Sequence, residues 1–331
     1  MVGNEADPHI HLVGEECRSD TRPGVGLENP SPKGPSSITL EEDRMRLTTT
    51  FLLAMLPLAA MACADDQAAT EPIPDQARAG DPSYRGARPD VSVAVACGAS
   101  VVADLKLDGD LTCPGDGLFV DGDGIKINLQ GHTITGAGVG VGITVRGHHD
   151  VSIFGGTIQN FLTGVMVATS TDVVIKDNGF TQNREGVFLA GASGNTIKHN
   201  TAWQNTSRGF MIRPTGSGTI STDNVVMDNV VTNNPTGILL FGQPGNTIKA
   251  NTISGSNVAG IDLTGGGGSG TIIKANLLTG NAAAIRFGIG WTDNTILANR
   301  IRANSCGIAG TTADNLFKEN LFSTNTADWC P

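Results

Sequence analysis

Aromatic residues are scarce in this chain of 331 residues: Phe, Tyr and Trp make up 5%, with a single Tyr. Charged residues reach only 16%, so the opposite-charge pairs that support surface helices are few. Positive charge is not in excess either. The formal balance is −10, and from residue 64 onward 23 acids face 17 Lys and Arg, which removes the electrostatic footprint of a nucleic-acid binder. One apolar run is long, residues 51–62, and its twelve residues are too few to span a bilayer.

Glycine is abundant at 44 residues, and of 24 asparagines 21 fall between positions 160 and 325. They recur in a phrase, GNTIKHN at 194–200 and GNTIKAN at 245–251. Its last Asn marks a register: Asn178, Asn200, Asn229, Asn251, Asn276, Asn299 and Asn320, at intervals of 22, 29, 22, 25, 23 and 21. Gly156 and His132 hold the same position in two earlier units. Repetition at such a period signals a solenoid.

Apolar columns show what lies between the markers. Three positions before them stand Leu129, Ile153, Ile175, Ile197, Val226, Ile248, Ile273, Ile296 and Phe317. Two positions after, the residue is again apolar, from Ile134 to Phe322, with only Ala202 small. A third segment alternates as in GITV, GVMV and GVFL. Three short strands per unit without helical periodicity predict an all-β fold, a single-stranded right-handed parallel β-helix of about nine coils over residues 97–331. Neighbouring coils would lie ~4.8 Å apart, so each Asn stacks on the next and can bond along its column. The marker Asn is expected to occupy a left-handed turn, as are the flanking columns Asn195, Asn224, Asn246, Asn294, Asn315 and Asn183, Asn205, Asn234, Asn281, Asn304, Asn325.

The N-terminal region divides differently. Residues 45–62 combine two arginines, the apolar run and Ala-Met-Ala before Cys63, the three parts of an export signal. Such a signal must come first, so residues 1–44 are expected to precede the true start at Met45 and not to be translated. Cys63 stands where a bacterial lipoprotein is lipidated, and residues 63–96 read as a flexible tether. The expected location is extracytoplasmic, either secreted or as a lipoprotein of the periplasm or outer surface, with the lipid anchor as its one link to a membrane. Of the three connectivities open to Cys97, Cys113, Cys306 and Cys330, a long rod permits Cys97–Cys113 and Cys306–Cys330, each stapling one end.

From Cys97 to Gly136 the chain reads CGASVVADLKLDGDLTCPGDGLFVDGDGIKINLQGHTITG, and N-T-I-x-x-N repeats follow. This resembles the bacterial right-handed parallel β-helix repeat proteins, the NosD-like relatives of pectin lyases. The resemblance implies polysaccharide as the partner, polyuronate in particular, and either a binding module or a lyase, hydrolase or epimerase. The epimerase motif Asp-Pro-His occurs only as Asp7-Pro8-His9, in the leader. Hydrolysis needs paired acids. The outward column of the alternating strand offers one: Phe119, Thr144, Met166, Phe188, Met211, Leu239, Asp262, Arg286 and Ala309. A lyase of this resemblance would need a basic residue beside calcium-holding acids, for which Arg146, Arg213, Arg286, Asp121 and Asp262 are the candidates. Calcium enters only under that alternative, and no other cofactor is expected. A copper role finds only Met166 and Met211 on this face.

Other motifs give less. Asp121-Gly-Asp123-Gly and the GGGGSG of 265–270 read as turns. Adjacent His148 and His149 would point to opposite faces of a strand and share no metal. Two surface columns suggest binding. Met166, Phe188, Met211 and Leu239 would form an exposed apolar strip unless a loop or the 64–96 segment covers it. Lys176, Lys198, Lys249, Lys274 and Lys318 form a basic stripe two residues before the markers. The function expected is therefore non-catalytic binding of an anionic polysaccharide, with a polysaccharide-active enzyme as the alternative.

Overall fold

The computed structural model describes residues 95–310 and 313–331. The expected tether as far as residue 94, the expected export segment and Cys63 lie outside the described residues. From Ala99 onward the chain winds through three parallel sheets. The long sheet has 11 strands and the second and third sheets have 10 each. Every coil contributes one strand to each sheet in turn, so successive strands of a sheet are three elements apart in the chain.

Alternation dictates this. In the short strands Thr196–Lys198, Thr247–Lys249 and Ile272–Lys274 the middle Ile is buried and its neighbours are half-exposed. Ile248 stacks in register between Val226 and Ile273, all three wholly buried. Each such side chain removed from water contributes about 1.5–3 kcal/mol before chain entropy is counted. At the head of the long strands runs a glycine column, Gly164, Gly186, Gly209, Gly237 and Gly260, where an added Cβ would collide with the carbonyl oxygen of the next coil. That close approach explains the initial Gly of GVMV and GVFL.

The described residues match the expectation of about nine coils with one more than the repeated phrase marks. Ten complete coils are present, and Ala327–Cys330 adds an eleventh long strand. The additional coil, Ala99–Val101, Leu105–Lys106 and Leu111–Thr112, lacks the repeated phrase, and two of its strands are only two residues long. Register shifts in the next coil as well: Ile127, not Leu129, pairs with Ile153. Two extra residues enter that corner, and Leu129 is buried there.

The corners also depart from expectation by one residue. Left-handed backbone falls on the residue before each marker, with φ of 56° at Asp177, 53° at Ala250 and 55° at Ala275. From Asn178 to Asn299 the marker Asn itself is buried. Asn200, Asn229 and Asn251 show the pattern. Asn229 Oδ1 accepts from the backbone N–H and Nδ2 of Asn200 (2.9 and 3.1 Å), and Asn229 Nδ2 donates to Ile197 O and to Asn251 Oδ1. The flanking columns form equivalent ladders, Asn183–Asn205–Asn234 and Asn195–Asn224–Asn246. Asparagine suits these sites because its amide accepts from one coil and donates to others while the preceding residue makes the turn.

Both ends are stapled, Cys97 to Cys113 and Cys306 to Cys330. At the last coil Trp329 packs against Phe317 and Phe322, with ring centroids 4.9 and 5.8 Å apart, and closes the core.

Candidate functional site

The outward column of the long sheet has the predicted composition and register. It is not the exposed apolar strip that its residues suggested. Met211 and Leu239 are buried, and Met166 and Phe188 half-buried. They pair in register from coil to coil, and the Arg213 guanidinium lies 5.5 Å from the centre of the Phe188 ring.

Asp262 and Arg286 meet on adjacent coils, as their positions required. Arg286 Nε donates to Asp262 Oδ1 at 2.8 Å and Nη2 to Oδ2 at 2.5 Å, a bidentate pair. The carboxylate is 1% exposed and the bond to it raises the Arg286 pKa above its already high ordinary value. Arg286 is thus held protonated, the wrong state for a base. Arg213, a second basic candidate, is exposed and donates to Pro214 O. The geometry joins Asp262 only to Arg286 and leaves Arg213 apart.

A groove at the other end of this sheet brings together Asp116, Asp121, Arg146 and His148 beside Phe119, Thr144 and Met166, with a volume of ≈ 460 Å³. Here alternation misleads, because His148 and His149 follow Gly147 (φ 72°) past the end of Val141–Arg146. Both imidazoles turn to the same carboxylate, His148 Nδ1 to Asp123 Oδ1 and His149 Nε2 to Asp123 Oδ2, each at 3.2 Å. The His149 backbone N–H bonds Asp123 as well, which holds that carboxyl below its ordinary pKa. Asp150, at 3.0 Å, is the main cause of the raised His149 pKa. Among the described residues no three His, Cys, Asp or Glu side chains are placed to share a metal ion.

The lysine stripe occupies the second sheet with the register read from the repeats: Lys176 pairs Lys198, and Lys249 pairs Lys274. Met227 and Leu297 interrupt it. Lys176 lies 5.1 Å from the Phe154 ring centre and 4.0 Å from Asp177, and Lys318 is 3.5 Å from Glu319. Among the described residues no carboxylate lies within ion-pair distance of Lys198, Lys249 or Lys274.

A second groove, ≈ 530 Å³, lies where the second sheet turns into the third and is lined by Asp177, Asn178, Gly179, His199, Thr201, Trp203 and Thr232. Sequence reading missed it. Two signals were available: Trp203 is the single aromatic among the outward residues of the third strands, and Gly179 the single glycine in its column.

Among curated proteins none is similar in sequence. The family described as a right-handed beta helix region matches residues 116–278 and 224–328. Similar solved structures include the periplasmic alginate epimerase AlgG, at 13% identity and a TM-score of 0.49 over 67% of this chain and 62% of that one. A bacteriophage CBA120 tailspike domain gives 10% identity and 0.52 over 69% and 39%. A Thermotoga maritima exopolygalacturonase gives 10% and 0.49 over 68% and 76%. This chain therefore spans 62% of the epimerase's length, and identities this low speak for the fold alone. The family match extends over more than half of the sequence and coincides with the stacked parallel coils, so this chain belongs to the right-handed β-helix family.

Proposed function

We propose that this protein is an exported, non-catalytic β-helix that binds anionic polysaccharide along its second sheet, either secreted or held at a membrane by lipid on Cys63. The observation that carries this reading is the in-register pairing of Lys249 with Lys274, neither within ion-pair distance of a carboxylate among the described residues. Ammonium groups kept at the ~4.8 Å coil spacing repel by about 0.9 kcal/mol in water, a small cost that a polyanion laid along the rod would reverse. The two disulfides suit an oxidising compartment. Against catalysis in the long sheet stands the Asp262–Arg286 pair, whose members occupy each other.

Retention on immobilised polygalacturonate tests this. Binding should weaken steeply with salt, because the Debye length falls from ~10 Å at 0.1 M to ~3 Å at 1 M. Lys249→Glu with Lys274→Glu should abolish low-salt retention with little change in melting temperature. Equal retention by the double variant, or none by the parent, refutes the proposal. The groove of Asp121, Arg146 and His148 favours the second reading, a polysaccharide lyase, hydrolase or epimerase. Release of unsaturated or reducing products from polyuronates would establish it over the first.

A further inference from the structure

The groove at Trp203 calls for its own explanation, because the chain gives up stability to build it. Gly179 opens the strand Gly179–Thr181 and is not in the left-handed region, so no positive φ requires glycine there. Its column neighbours are Thr157, Thr201 and Val230. Glycine inside a strand costs roughly 0.5–1 kcal/mol and marks a close approach. Two side chains approach: a Cβ on Gly179 would lie 3.1 Å from Cη2 and Cζ3 of Trp203 on the next coil and 3.1 Å from Thr157 Oγ1 on the previous one. Thr181, paired with Trp203 across the third sheet, keeps a buried hydroxyl without a hydrogen-bond partner. Gly268 makes room in the same way for Trp291, but that indole is fully buried core. Trp203 is seated by the same device and remains half-exposed beside an open groove.

The rim of the groove is polar. His199, in left-handed backbone, stands between Asp177 (3.8 Å) and Asp228 (4.0 Å), and Thr201 and Thr232 line the wall. An aromatic surface flanked by carboxylates, an imidazole and hydroxyls suits a ring that is apolar on its C–H face and rich in hydroxyl groups at its edge. From this we infer that the groove is a stacking subsite for a neutral pyranose, the sugar lying on Trp203 with its hydroxyls donating to Asp177 and Asp228. Asp228, and Asp177 in so far as Lys176 at 4.0 Å leaves its charge uncompensated, disfavour a uronate, so this ligand differs in charge from the polyanion proposed for the lysine stripe. The two sites would let one rod bridge a neutral and an acidic glycan.

Calorimetry of the purified protein with cellohexaose, mannohexaose and maltohexaose, with hexagalacturonate as the acidic probe, tests the inference. At least one neutral hexasaccharide should bind, with an affinity nearly independent of salt, because no net charge is screened. Trp203→Ala should weaken that binding by at least about tenfold, as loss of an aromatic anchor does. Gly179→Ala, which pushes the indole by a few tenths of an ångström while leaving Trp203 in place, should weaken it too, and keeps the test open should Trp203→Ala fold poorly. In the Trp329→Phe background, the same sugar should shift the tryptophan emission. Absence of binding by all three neutral probes, or unchanged affinity in both variants, overturns the inference. Retention on polygalacturonate is read on the same samples, so this site and the lysine stripe fail or stand separately.

Discussion

Replacing Asn251 with Ala probes the corner ladders directly. Asn251 sits in the middle of the longest ladder, 1% exposed. Its Oδ1 accepts from the backbone N–H and the Nδ2 of Asn229, both at 3.0 Å. Its Nδ2 donates to Val226 O at 2.9 Å and to Asn276 Oδ1 at 3.1 Å. Alanine removes all four bonds, with unequal consequences. Asn276 Oδ1 still accepts from the residue 251 backbone N–H, and Asn229 Nδ2 still donates to Ile197 O. The Asn229 backbone N–H and the second Asn229 amide proton are left with no acceptor. Each buried group stranded in this way costs about 1–3 kcal/mol, so the substitution should cost about 2–6 kcal/mol. A residue that merely turned the chain would lose a few tenths, and the turn here is made by Ala250.

The assay is urea denaturation of parent, Asn251→Ala and Ile248→Ala. Ile248→Ala removes a fully buried aliphatic and should cost about 2–5 kcal/mol, so the two variants should fall in the same range. Asn251→Asp separates the explanations further, since a carboxylate can accept from Asn229 but opposes Val226 O and Asn276 Oδ1, and it should be worse than Ala. Solenoids respond locally, so hydrogen exchange should rise first at coils next to residue 251. A loss below about 1 kcal/mol for Asn251→Ala with Ile248→Ala strongly destabilised would show that water replaces the amide and that the ladder is not a source of stability.

Two further outcomes are expected. Ser256 and Thr271 interrupt the flanking ladders and keep buried hydroxyls without partners, so Ser256→Asn and Thr271→Asn should each raise the urea midpoint, the unfolding free energy increasing by about 1 kcal/mol for each restored bond. A drop for both would mean that the corners at these coils lack room for an amide. His149 should titrate above its ordinary 6.5 because Asp150 and Asp123 favour the cation. That raised value gives stability that is full below pH 6.5 and lost as pH rises through the folded-state pKa, whereas the lowered Asp123 value gives stability lost only in acid. Imidazole NMR titration of parent and Asp150→Asn checks the order: the variant should titrate lower, and equal values refute the assignment.

Repetition made the interior legible. A column read over nine units averages out local exceptions, so the inward Ile and Val positions, the register of the lysines and the outward composition of the long sheet follow from spacing. Regions with only one instance did not. The first coil, with Leu105 and Leu111 inward on two-residue strands, has no phrase to announce it, and the two extra residues at Leu129 cannot be seen without its neighbour Ile153. Turn chemistry was misplaced by one residue because Asn tolerates left-handed backbone as well as it fills a buried amide site. Only burial and bonding decide between the two roles. The convergence of His148 and His149 on Asp123 likewise depends on where the strand stops, which alternation does not reveal.

The exceptions to each column therefore carry more functional information than the columns themselves. An interior position repeats because every coil imposes the same steric and hydrogen-bonding demand, and a departure must be satisfied from outside that demand. Asp262, the one acid in the outward column of the long sheet, is satisfied by Arg286 on the next coil, so it asks for no ligand. Ser256 and Thr271 are not satisfied, but they face the closed interior, where no ligand can reach and only stability is at stake. Gly179 is different: its departure is filled by the Trp203 indole, which ends half-exposed at a polar groove instead of in the core. Of these departures, it is the one that trades strand stability for accessible aromatic surface, and that exchange is what a binding site requires and a scaffold does not.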